Sequence, residues 1–296
     1  MPLKRFLSHL QYEKRYSPHT LTAYESDLTQ FFEYLQKEYN TSNIAEVNHF
    51  YIRSWIVGMM EAKIAARSVN RKITSLKTFF RFLIREKVVT QNPMVKIQSP
   101  KVPKRLPVFI DEKRMESVFD TITFESGYKG VRDRTILELF YGTGMRLSEL
   151  VNLTEQSVNY SNQSVKVLGK RNKERILPLS GTVIAQLKEY QSFRAAFLAE
   201  SGGESNHFFL DNRCNKIYPK FVYRIVKKYL GMVTTGDKKN PHILRHTFAT
   251  HMLNNGAEIN AVKELLGHSS LAATQVYTHN TVEKLKNIYK QAHPKA

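Results

Sequence analysis

The chain has 296 residues, 42% of them hydrophobic and 11% aromatic, which is enough apolar material for two cores of ordinary size and too much for a disordered chain. Its 45 Lys and Arg against 26 Asp and Glu leave a formal charge of +19, which points to a polyanionic partner: DNA, RNA or an anionic membrane face. One cysteine, Cys214, excludes an internal disulfide and a Cys-based zinc site, and no apolar run reaches membrane-spanning length. With no signal-peptide core between Met1 and Tyr16, a soluble cytoplasmic protein is expected.

The first hundred residues read as helices. Ser17-Pro18 is a helix start, a capping hydroxyl followed by proline at the first helical position, and Leu21, Tyr24, Leu28, Phe31, Phe32 and Leu35 follow at helical spacing. A second helix starts near Val47 with Tyr51, Ile52, Trp55 and Ile56. A third starts at Ser68, its apolar stripe running from Val69 to Ile84. The other face of that helix offers Arg67, Arg71, Lys72, Lys77, Arg81 and Arg85. No acid lies between Ala62 and Arg85, so this face is expected to contact phosphates. Pro93, Pro100, Pro103 and Pro107 then interrupt any helix and mark an extended linker.

The remainder is mixed. Val131 to Val151 is helical in period, and Ser164–Gly169 and Glu174–Leu179 alternate like two strands around a short turn. Phe221–Leu230, Leu244–Asn254, Ile259–Leu266 and Val282–Gln291 read as helices. The charge is shared along the chain. Residues 1–105 hold 18 Lys and Arg against 8 Asp and Glu, and residues 106–296 hold 27 against 18, so both halves are basic and suit a clamp on a duplex. The fold class expected is mainly α with a small β-hairpin or sheet. The expected divisions are an N-terminal helical domain over 1–90, a linker over 91–107 and a C-terminal domain over 108–296.

The chemistry is bounded first by what is missing. There is no GxxxxGK[ST] loop and no GxSxG elbow, and the acids are scattered, so neither a nucleotide nor a metal cofactor is expected. Present instead are Gly142-Thr143-Gly144-Met145-Arg146-Leu147-Ser148-Glu149-Leu150, Gly169-Lys170, Pro241-His242-Ile243-Leu244-Arg245-His246, Leu265-Leu266-Gly267-His268 and, nine residues later, Tyr277. Arg146 follows a helix-breaking Gly-Thr-Gly and precedes a new helical pattern, which puts its guanidinium near a helix N-terminus; the plainer reading is a surface pair with Glu149 at i+3. His242 and Arg245, three apart after Pro241, share one face and suit phosphate oxygens. Gly267 reads as a helix-ending glycine. His246 and His251 read as structural.

Together these segments resemble the tyrosine recombinase (phage-integrase-type) family, above all its bacterial Xer recombinases. The motifs are TGxRxSEL, the turn lysine, HxLRH, LGH and the late tyrosine, in the family's order; none is specific alone, and the five together are. The resemblance spans nearly the whole chain and implies a two-domain clamp, a helical core-binding (SAM-like) domain followed by an α+β catalytic domain. It implies that Tyr277 is the nucleophile, forming a 3′-phosphotyrosyl link, with Arg146 and Arg245 on the non-bridging oxygens, Lys170 as general acid, His242 as acid/base and His268 holding the phosphate. The family commonly has Gly after the turn lysine, where this chain has Arg171 and Asn172, so the loop shape and the choice between Lys170 and Lys173 stay open. Arg171, Lys173, Arg175, Arg224, Lys227 and Lys228 join the third helix as expected DNA contacts.

The partners that the resemblance implies are a double-stranded recombination site, a homo- or hetero-tetramer of recombinase subunits on two such sites, and an FtsK-type DNA translocase; no membrane is involved. The terminal helix, with Val282, Leu285, Ile288 and Tyr289 at helical spacing, is expected to be donated to a neighbouring subunit. Chromosome-dimer resolution at a dif-like site is the expected role, favoured by the absence of an arm-binding segment before the helical domain. The alternatives are a mobile-element integrase or invertase, a topoisomerase of the same chemistry, and a DNA-binding protein without catalysis.

Overall fold

The computed structural model describes residues 2–103, 108–169, 174–234, 236, 239–267 and 279–295, with the backbone alone at 279–284. The chain divides into two compact units, Met1–Arg105 and Leu106–Ala296.

The first unit holds α1 (Pro2–Ser8), α2 (Pro18–Tyr39), α3 (His49–Glu61) and α4 (Ala66–Arg85). Ser17 caps α2 as expected, its hydroxyl accepting from the Thr20 N–H at 3.3 Å with Pro18 at the first position. Asn48 caps α3 in the same way. Phe6, Leu28, Phe31, Trp55, Ile73, Phe79, Phe80 and Leu83 form its core. The linker expected over 91–107 begins later than that, because Met94 and Ile97 are buried in this core and the Asn70 side chain donates to the Pro100 carbonyl. The prolines break the helix, but the apolar residues between them still fold back.

One expectation for α4 is corrected here. Lys72 does not face outward: its side chain is 7% exposed and its ammonium lies 3.0 Å from Asp27 and 2.6 Å from the Gln30 carbonyl oxygen on α2. Arg71 reaches the same carboxylate at 2.5 Å but stays half exposed, and the Ser75 hydroxyl donates to it at 2.8 Å. The acid that recruits them lies in α2, out of sight of a count made along α4. Arg67 and Arg81 are exposed and Lys77 is partly so.

The second unit holds α5 (Glu112–Asp120), α6 (Tyr128–Thr143), α7 (Leu147–Val151), α8 (Gly181–Ser201), α9 (Pro219–Val233), α10 (Pro241–Asn254), α11 (Ile259–Leu266) and α12 (His279–Ala292). Its antiparallel sheet has the order β1 (Val158–Asn159), β2 (Ser164–Leu168), β3 (Glu174–Pro178). Val165 pairs with Leu177 and Val167 with Arg175, so the hairpin read from the alternation is present and gains a short third strand. The helical period over Val131–Val151 is two helices, because Gly144 adopts a left-handed conformation (φ +60°) and a Cβ there would collide with Phe248. α5 and α8 escape the sequence reading. α8 buries Val183, Ile184, Leu187 and Tyr190 but leaves Phe193 exposed, so its stripe fades half-way.

In the single chain α12 lies against β3, α10 and α11 of its own unit, with Leu285, Tyr289 and Ala292 buried. Beyond its end His293 is buried too, and its Nε2 donates to the Tyr141 carbonyl at 3.1 Å.

Candidate active site

Two of the cationic residues singled out by the sequence, Arg146 and Arg245, meet at the turn after α6. Gly144 ends α6, and the following residues turn into α7 with Arg146 as its N-cap. The Arg146 backbone N–H donates to Glu149 Oε2 at 2.6 Å and its Nη1 donates to Glu149 Oε1 at 2.9 Å. The i+3 pair is therefore real, but it is not a surface pair. Glu149 is buried, with 1% of its side chain exposed, and Arg175 of β3 holds the same carboxylate by both oxygens, at 2.5 and 2.8 Å. Burial alone would raise the Glu149 carboxyl. The hydrogen bonds and charge of Arg175 and the Arg146 N–H outweigh it and hold the group below the usual carboxylate range.

The end of α11 supplies the second half of the site. Gly267 closes the helix with φ +63°, as its sequence position predicts, and leaves three consecutive carbonyls free to accept. Leu265 accepts from Arg175 Nε at 3.0 Å, Leu266 from Arg245 Nη2 at 2.6 Å, and Gly267 from Arg146 Nη2 at 2.7 Å. Arg245 Nη1 donates to the Gly144 carbonyl at 2.6 Å. Three guanidiniums thus meet one carboxylate and the negative end of a helix. Burial, then the fields of Arg146 and Arg175, push the Arg245 guanidinium down to about 10, with Glu149 opposing. A second anion would relieve that repulsion.

His242 and Arg245 sit in the first turn of α10, which Asn240 caps and Pro241 opens. His242 is exposed and Arg245 half-buried. His251 is structural, as read from the sequence: it is buried, with Nδ1 3.0 Å from the Tyr141 hydroxyl. Arg175 is not an exposed DNA contact, since 5% of its side chain is exposed and it points into the Glu149 centre. On α9, Arg224, Lys227 and Lys228 are exposed; Arg224 donates to the Tyr218 hydroxyl at 2.7 Å and Lys228 pairs with Glu125 at 2.5 Å. Lys170, Arg171, Lys173, His268 and Tyr277 lie outside the described residues. Sequence reasoning saw Glu149 only as a partner for Arg146. The signal that could have raised its rank is its place opposite a hairpin whose inward position, Arg175, is charged.

The sequence profile of the phage integrase family matches residues 109–284, and that of the phage integrase N-terminal SAM-like domain matches residues 3–87. The chain belongs to the phage integrase family. Among its relatives, the tyrosine recombinase XerC of Chlorobaculum parvum is 38% identical over 317 aligned residues, covering 99% of this chain and 94% of that one. The XerC of Pelobacter propionicus is 39% identical over 295 residues, covering 99% and 95%. Like them, the chain is a tyrosine recombinase. In fold it is similar to the XerH recombinase in a post-cleavage complex with a difH substrate (TM-score 0.71, 19% identity, covering 96% of this chain and 82% of that one). It is similar too to the Tn1549 transposon integrase in complex with circular intermediate DNA (TM-score 0.69, 20% identity, covering 96% and 98%). Among the described residues of this tyrosine recombinase, no helix is long and apolar enough to cross a membrane.

Proposed function

We propose that this tyrosine recombinase cuts and rejoins double-stranded DNA at a dif-like site, resolving chromosome dimers in the cytoplasm as a tetramer on two sites, with an FtsK-type translocase as activator. The observation that carries the chemistry is the pair of guanidiniums of Arg146 and Arg245, held by Gly144, Leu266, Gly267 and Glu149. Each keeps part of its fork pinned to the protein, so the rest is pre-oriented for two non-bridging phosphate oxygens. The Tyr277 oxygen attacks phosphorus and forms the 3′-phosphotyrosyl bond while the 5′-oxygen departs. Lys170 supplies a proton to that oxygen, His242 assists proton transfer, and His268 holds the phosphate. A phenol titrates near pH 10, so its oxyanion needs nearby cations, and this site is rich in them. The phosphotyrosyl bond stands close in energy to the phosphodiester it replaces, so the reverse attack by a 5′-hydroxyl reseals the strand without a nucleotide.

The test is a nicked duplex carrying a dif-like site, which traps the covalent product. Wild-type protein should form a protein–DNA adduct in the presence of a chelator, and Tyr277→Phe should form none. An adduct from both would move the nucleophile to another tyrosine, and an adduct only on ends of a mobile element would replace the chromosomal role.

A further inference from the structure

The sequence counts Arg175 among the DNA contacts of the hairpin, yet its position argues for a different task. It stands on β3 opposite Val167, and its three kinds of donor nitrogen all point inward. Nη1 and Nη2 take both oxygens of Glu149 and Nε takes the Leu265 carbonyl. Its side chain also lies against Gly267, where a Cβ would come within 3.1–3.2 Å of Nη1, Cδ and Cζ. With three of its five N–H donors taken and 5% of its side chain exposed, Arg175 is poorly placed to reach a phosphate. What it touches, however, are the two supports of the phosphate-gripping pair. Glu149 holds Arg146 by side chain and backbone, and the α11 end holds Arg245 and Arg146 through Leu266 and Gly267.

We propose that Arg175 is a positioning residue for the strand-transfer reaction, acting through Glu149 and the end of α11 to set the orientation of Arg146 and Arg245. The proposal rests on the reading of those two arginines as the phosphate clamp. Arginine is required because the task needs two parallel bonds to a carboxylate and a third in another direction from one rigid group. A lysine supplies a single ammonium and cannot span both supports. The arrangement also accounts for Gly267, since the guanidinium occupies the space a side chain would take.

The experiment compares wild type, Arg175→Lys, Glu149→Gln, Arg146→Lys and the Arg175→Lys/Arg146→Lys double variant. It reads single-turnover cleavage of the nicked duplex and single-site DNA affinity across salt. Thermal melting checks folding, and Glu149→Gln, which keeps the shape of the centre, stands in should Arg175→Lys melt early. Arg175→Lys should cleave about 100-fold more slowly, the usual cost of one misplaced donor, with an unchanged salt slope. The double variant should fall short of the product of the two single losses, because part of the Arg175→Lys loss passes through the Arg146 guanidinium and the rest through Arg245. Arg175→Gln, read alongside, removes the charge, and a salt slope lowered by about one phosphate in it would make Arg175 a DNA contact and overturn the proposal. Fully multiplicative losses would overturn it as well. If wild type forms no adduct on any site, the clamp reading itself fails. The Nε–H nuclear magnetic resonance signal of Arg146 then decides the link: it should shift in Arg175→Lys, and an unmoved signal would sink it.

Discussion

Each unit of this molecule contains a buried carboxylate that gathers several donors. In the first, Asp27 gathers Arg71, Lys72 and Ser75; in the second, Glu149 gathers Arg146, Arg175 and the Arg146 N–H. The difference lies in what is left outside. Asp27 draws Lys72 inside and leaves Arg71 half exposed on α4, one member of a row in which Arg67 and Arg81 are exposed. Glu149 draws Arg175 inside and leaves Arg146 partly exposed beside Arg245, in a site of high local positive charge. The same device trims a cationic surface in one unit and orients Arg146 beside Arg245 in the other. A formal charge of +19 therefore overstates the cations available to DNA, and buried acids decide which ones remain.

That contrast is open to measurement. The largest effect should come from Glu149→Ala, which strands the buried Arg175 guanidinium and should cost about 3–5 kcal/mol. Asp27→Ala should cost less, about 2 kcal/mol, because Gln30 still receives the Lys72 ammonium and Arg71 can turn to water. Urea unfolding separates the two, since the single tryptophan, Trp55, reports the first unit while circular dichroism reports both. Equal costs would erase the distinction.

A second measurement sets these charged centres against a buried group kept neutral. Burial, with His251 and Lys295 adding to it, pushes His293 down to about 4 from an ordinary 6.5, against the opposing hydrogen bond to the Tyr141 carbonyl. Its folded pKa is depressed, so the stability it permits is complete above pH 6.5 and is lost as pH falls from 6.5 towards 4. The loss should be about 3 kcal/mol across that window. His293→Phe should flatten the slope of unfolding free energy with pH there, and an unaltered slope would mean that another group titrates.

The smallest effect concerns α4. Arg81→Ala should lower the salt slope of DNA binding by about one phosphate, whereas Lys72→Met should leave it unchanged. A matching fall for Lys72→Met would show that its pair with Asp27 opens on DNA.

Much of this architecture is legible before the fold is known, where its cause is local. Ser17-Pro18 caps α2, Gly144 and Gly267 end their helices, Asn240-Pro241 opens α10, and the alternation around the hairpin gives β2 and β3. What escapes has a distant cause. Lys72 looks solvated because Asp27 lies 45 residues away, and Arg175 looks like a surface cation because Glu149 lies 26 away on another element. The linker is misjudged because proline marks the end of a helix and says nothing of whether Met94 and Ile97 find a core. The apolar stripe of α12 has a related limit: it demands a cover but does not name it.

The carbonyl grip on the arginines also bears on how the enzyme comes into being. Arg245 reaches Gly144 across 101 residues, Arg146 reaches Gly267 across 121, and Arg175 reaches Leu265 across 90. Pairings of such separation close late, since the entropy of the intervening loops must be overcome first. A nascent chain that has not yet emerged as far as residue 267, or one whose second unit has opened, carries every arginine of the site without the α11 carbonyls that hold them. Strand-cutting competence is thus tied to completed folding, and a half-made molecule can cling to DNA through its scattered cations without the means to break it.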